Sequence, residues 1–149
     1  MAQTYTTYYL EMTSPDQLKA KPQRSDLQIV ECEEPQPALN RFLYQLVGST
    51  WEWGDLDDWS DAQWRAMVEN EAHRTWVAYH RGAIAGYYEL FRPDGRSTEI
   101  RYFGLAGAFM GLGFGGSTFR FAGRPGEASS AADLDGRRVA TSYAGLVRS

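Results

Sequence analysis

A strand-like segment running straight into a glycine-rich turn constrains this chain most. Residues 99–116 read EIRYFGLAGAFMGLGFGG, an aromatic and branched run followed by Gly111, Gly113, Gly115 and Gly116. The residues beyond read as the start of a helix. Outward-pointing amides at such a turn meet the positive end of a helix dipole, and the pair forms an anion site suited to phosphate. Glycine belongs there because a Cβ would hold the phosphate away from the backbone. Soon after, at Gly123, Arg124 and Pro125, the helical pattern fails.

The segments upstream supply the scaffold. Residues 4–12 alternate threonine and tyrosine, and residues 27–32 alternate again; both read as strands. Pro37 suits a first helical turn, and Leu39, Phe42, Leu43, Leu46 and Val47 fall on one helical face, with Gly48 expected as the C-cap. Ser60 is expected to N-cap a second helix over 61–68, with Trp64, Met67 and Val68 on its buried side. TWVAYH and IAGYYELF, joined at Arg81 and Gly82, read as a β-hairpin, and residues 98–105 as the next strand.

At 149 residues the chain suits one domain, and its balance of −4 lacks the basic footprint of a nucleic-acid partner. No apolar run is long enough for a transmembrane helix, and the N-terminus lacks the pattern of a secretion signal. Cys32 is the only cysteine, which suits a reducing cytoplasm. His73 and His80 gain no acidic or thiol cluster at metal-ligand spacing, so no metal is expected.

The hairpin, the strand ending in YFGL and the glycine turn together resemble the GNAT acetyltransferase superfamily, over about residues 5–120. The resemblance implies an α+β fold: a mixed, mostly antiparallel sheet with helices on both faces. It implies residues 1–122 as the acetyltransferase core. Residues 123–149 form an atypical polar tail, read as loop or disorder with modest strand potential over 138–147. The family's later strands and fourth helix have no counterpart in that tail, which reads as a truncation or a shift of reading frame.

The implied activity is transfer of an acetyl group from acetyl-coenzyme A to a primary amine. The family's diphosphate loop maps onto Met110, Gly111, Leu112, Gly113, Phe114 and Gly115, with Met110 where a basic or amide residue is usual. Phe103, Gly104, Leu105 and Gly116 complete the expected cofactor-binding set. Glu99 and Glu89 are the candidate general bases, each otherwise a solvent-facing or Arg101-paired strand residue. Tyr102 is the third catalytic candidate, as a wall of the acceptor pocket or a proton donor, and Tyr87 and Tyr88 share that reading. In the acidic, tryptophan-rich loop, Glu52, Asp55, Asp57 and Asp58 would attract a cationic amine beside Trp51 or Trp53. A homodimer is the expected assembly. The competing expectation is an inactive fragment of the same fold that serves as a binding or dimerisation module through an exposed sheet edge.

Overall fold

The computed structural model describes residues 8–12, 25–51, 53–93, 97–114 and 138–143. In chain order these form β1 (Tyr8–Met12), β2 (Leu27–Glu31), α1 (Pro37–Trp51), α2 (Asp61–Val68), β3 (His73–His80), β4 (Ala83–Phe91), β5 (Ser97–Leu105) and β6 (Arg138–Tyr143). The strands make one sheet in the order β1-β6-β5-β4-β3-β2. All ladders are antiparallel except β5–β6, which is parallel. The α+β fold and the mixed, mostly antiparallel sheet are as expected. Within the segment read as a polar tail, residues 138–143 form β6, between β1 and β5; the rest of 123–149 lies outside the described residues.

Local chemistry explains the elements. Ser60 and Gln63 make a reciprocal capping box, with the Gln63 amide donating to Ser60 Oγ at 3.3 Å and the Ser60 amide donating to Gln63 Oε1 at 2.8 Å. Trp64, Met67 and Val68 are the buried side of α2, as its periodicity predicts. The β3–β4 hairpin turns through Arg81 (φ 51°) and Gly82 (φ 84°), a pair of left-handed residues whose twist suits a two-residue hairpin.

One helix boundary differs from expectation. Gly48 does not end α1, which continues to Trp51. A Cβ at Gly48 would come within 2.9 Å of Trp53, so glycine is needed there to seat the tryptophan ring rather than to stop the helix.

Both described helices lie on one face of the sheet; residues 115–122, read as the start of a further helix, lie outside the described residues. Leu43 and Val47 of α1 pack on Val77 and Tyr87, and Tyr44 joins Trp64, Met67 and Val68 of α2. The opposite face carries the stacked rings of Trp76 and Tyr88 and a cluster of Leu27, Ala78, Ala85 and Phe114. Among the described residues, no helix is long and apolar enough to cross a membrane.

Candidate active site

Two irregularities in β5 set the geometry. Its parallel ladder with β6 runs from Ser97↔Arg138 to Ile100↔Thr141 and stops, while β5 itself continues to Leu105. On the other side, the β4 register shifts between Glu89, opposite Tyr102, and Leu90, opposite Ile100. Arg101 is therefore the extra residue of a β-bulge, at the point where β5 and β6 part. Bulges bend a strand and re-aim its side chains, and they concentrate near functional sites. The Arg101 guanidinium lies over the Phe91 ring, 3.6 Å from its centroid.

On the helical face, the loop between α1 and α2 folds back onto β5. The Tyr102 hydroxyl donates to Asp55 Oδ2 at 2.7 Å, and the Tyr44 hydroxyl donates to Oδ1 at 2.8 Å. Tyr44 in turn accepts the Leu56 amide at 3.2 Å. The rings of Tyr44, Trp53 and Tyr102 meet pairwise with centroids 5.3–5.6 Å apart. Burial, and then the Asp55 carboxylate, push the Tyr102 phenol well above its usual range. Tyr44 moves the same way for the same leading reason. Both phenols therefore act as neutral donors, and they fix an exposed carboxylate beside an aromatic wall.

The expected site residues divide accordingly. Tyr102 and Asp55 are brought together. Glu89, directly across the ladder from Tyr102, is 1% exposed. Its Oε1 accepts from Asn40 Nδ2 at 2.7 Å, and its Oε2 lies 3.2 Å from His73 Nε2 without hydrogen-bond alignment. Asn40 Nδ2 also donates to Thr75 Oγ1 at 2.8 Å. Glu99 stands opposite Phe91 and beside Ala140, within the stretch where β5 and β6 are still paired. Tyr87 and Tyr88 are fully buried strand residues, and burial raises both phenols.

Phe103 and Gly104 pair with Tyr88 and Tyr87, and Leu105 with Gly86. A Cβ on Gly104 would collide with Val47, so this glycine lets α1 approach the sheet. After β5 a 3-10 turn over Gly107–Phe109 leads to Met110. Gly111 (φ 75°) and Gly113 (φ 84°) take the left-handed conformation on either side of the exposed Leu112. Phe114 is buried on the far side of the sheet, its ring 5.0 Å from that of His80 and 5.7 Å from that of Phe109. Gly115, Gly116 and Glu52 lie outside the described residues.

The model of the acetyltransferase (GNAT) family matches residues 40–121, and the chain belongs to that family. The fold is similar to a GCN5-related N-acetyltransferase from Kribbella flavida, with a TM-score of 0.58 and 12% identity, covering 91% of this chain and 47% of that one. It is also similar to the aminoglycoside 6'-N-acetyltransferase from Enterococcus faecium, with a TM-score of 0.51 and 17% identity over 71% of this chain and 56% of that one. A shorter likeness is of another kind. Over 36 residues the chain is 69% identical to the ATP phosphoribosyltransferase of Salinispora tropica, covering 24% of this chain and 13% of that protein. The chain thus spans about an eighth of the length of that curated relative.

The buried Asn40–Thr75–Glu89–His73 network and the role of Tyr44 escape a reading of the sequence alone. A signal for both exists in the helix pattern. Asn40 and Tyr44 share a face with Leu43 and Val47, and a polar group in an apolar stripe must find a partner when buried.

Proposed function

We propose that this chain binds acetyl-coenzyme A along the open side of β5 and transfers the acetyl group to a primary amine. One observation carries the reading: β5 runs on to Leu105 after its ladder with β6 has ended at Ile100, with the Arg101 bulge at the point of divergence. That stretch fits an extended, amide-bearing arm, which would satisfy strand N–H and C=O groups by adding to the edge. Family membership supports the same reading, as does fold similarity to an aminoglycoside 6'-N-acetyltransferase solved with coenzyme A.

The co-substrate supplies an acyl group already activated as a thioester. The chain's task is to polarise the thioester carbonyl and position the amine. In this reading, backbone amides of β5 beyond the bulge donate to the carbonyl oxygen. Asp55 draws the cationic acceptor in, and the rings of Trp53 and Tyr102 wall its path. Glu89, one strand away and fully enclosed, is the candidate proton acceptor through an intervening group; Glu99 sits at the closed end of the β5–β6 gap. The amine nitrogen forms a bond to the acyl carbon and gives up a proton, the carbon–sulfur bond breaks, and the leaving thiolate takes up one proton in exchange. Gly111 and Gly113 leave the turn after β5 free of Cβ atoms on its left-handed residues, which suits a diphosphate. A cytoplasmic location and a homodimer belong to the same proposal.

The phosphoribosyltransferase likeness does not support a second activity. The matched segments, 36 residues in the Salinispora tropica protein and 68 in that of Streptomyces avermitilis, span only 13% and 24% of those proteins, too little of either to carry its activity over.

Calorimetric titration of the purified chain with acetyl-coenzyme A tests the proposal. Saturable binding, followed by thiol release on adding amines, supports it. A folded sample that binds nothing overturns it and leaves the binding or dimerisation module as the better reading.

A further inference from the structure

The bulge in β5 brings a cation and a tethered carboxylate to one face of the sheet. We infer that Arg101 binds a carboxylate of the acceptor, so that the amine substrate is an amino acid or a comparable short amino carboxylate. The inference rests on the acetyltransfer reading, because it names the substrate of that same site.

Tyr87, Glu89 and Phe91 alternate along β4 on the side covered by α1, where Tyr87 packs on Leu43 and Val47 and Glu89 meets Asn40. The Arg101 guanidinium lies over the Phe91 ring and so shares that face. Tyr102, the next residue, packs there too, against the cluster of Tyr44, Trp64 and Met67. Successive side chains of a regular strand point to opposite faces; the extra residue of a bulge allows both onto one. Arg101 and the Tyr102–Asp55 pair thus stand together where β5 leaves β6.

The guanidinium is uncommitted. Among the described residues no carboxylate forms an ion pair with it, Glu99 included. At 3.6 Å from the ring centroid it lies flat on Phe91, since an edge-on approach would drive a nitrogen into the ring. Its N–H donors therefore remain in the plane, unused by that contact. None of its nitrogens is among the enclosed, unmatched atoms, in contrast to Arg92 Nε, so a ligand can reach them. Arg101 is half-buried, and a planar fork held against a ring is pre-organised for two parallel bonds to a carboxylate.

The charges on this face then select a zwitterion. Asp55 presents a negative charge to the ammonium and Arg101 a positive one to the carboxylate, whereas a simple diamine would set its second cation against Arg101. The co-substrate's phosphates match Arg101 less well. The left-handed glycines 111 and 113 follow Leu105, and β5 alone carries the chain about 13 Å from Arg101 to that residue.

The test compares L-amino acids with their carboxamides, which lack the carboxylate charge. In calorimetric titration of the full chain without acetyl-coenzyme A, the acids should bind at least tenfold more tightly than the amides. Arg101→Gln should erase that difference by weakening the acids, and Arg101→Lys should restore part of it. With acetyl-coenzyme A present, thiol release should show the same preference as a difference in KM. Equal binding of acids and amides by the wild-type chain, or binding of neither, overturns the inference whether or not a variant folds. So does equal weakening of acids and amides in Arg101→Gln, or a loss of acetyl-coenzyme A affinity there, which would assign the guanidinium to the co-substrate. Failure of the acetyltransfer reading looks different: amino acids would bind in an Arg101-dependent way with no thiol released, which keeps the carboxylate site and removes the reaction.

Discussion

Tyr102 donates its hydroxyl hydrogen to Asp55 at 2.7 Å, and this bond fastens the loop between the helices to the strand that would hold the acyl group. If Asp55 recruits the amine, Asp55→Asn keeps an acceptor oxygen for Tyr102 but loses the charge. The amine KM should then rise about tenfold, in line with roughly 1–2 kcal/mol for a charge-assisted contact, with kcat little changed. Steady-state kinetics over an amine series checks this; a lower kcat at unchanged KM would place Asp55 in the chemistry instead.

The same pair gives the protein an alkaline limit. Burial raises the Tyr102 phenol, so the folded state holds its proton more tightly than the unfolded chain does. The resulting stability is fully present below the unfolded value near 10, and is lost as pH rises from there toward the folded value. Urea midpoints between pH 9 and 11 should fall with rising pH, and fall less steeply in Tyr102→Phe. Phenolate absorbance should show Tyr102 still protonated where exposed tyrosines have ionised.

Asn40→Leu tests the buried network. It removes the only hydrogen-bond donor to Glu89 that the described residues supply and leaves a carboxylate 1% exposed beside His73. The expected cost is about 3 kcal/mol, because breaking a buried polar set is worse than never building it. The double variant Asn40→Leu/Glu89→Leu should recover part of this loss by denaturant titration.

These sites show what a linear reading captures. Ser60 and Gln63 stand at capping-box spacing, and the strand signals of 75–80 and 84–91 bracket a two-residue turn; such local grammar is legible because it acts within a few residues. Gly48 misleads for the opposite reason. Its lack of a Cβ answers to Trp53 across a gap set by tertiary packing, not to the end of the helix. Asp55 could be picked out as acidic, but its bonds to Tyr44 and Tyr102 depend on β5 lying under α1. The bulge at Arg101 arises from how β5 pairs with β4, which no local pattern within β5 encodes.

Gly104 should be intolerant for a packing reason. A Cβ there collides with Val47, which is itself fully buried. Gly104→Ala is expected to cost about 1–3 kcal/mol through overpacking. Val47→Ala removes the opposing methyl groups, so the double variant should lose less than the sum of the singles. A full double-mutant cycle by urea denaturation reads that coupling; strict additivity would mean that α1 shifts freely away from the sheet.

The turn after β5 separates structural from binding glycines. Gly111 and Gly113 both have positive φ, so alanine at either should cost about 1 kcal/mol whatever the turn binds. A Cβ at Gly111 meets nothing within 4 Å, so its penalty there is conformational alone. The informative variant is Gly111→D-alanine, introduced by semisynthesis, because a D-residue accepts positive φ without that strain. If the turn holds a diphosphate, D-alanine should restore stability yet still weaken acetyl-coenzyme A binding, since its methyl group obstructs the backbone. Equal binding by the glycine and D-alanine chains would assign these residues to the path that carries Phe114 under the sheet, and would leave β5 to hold the co-substrate alone.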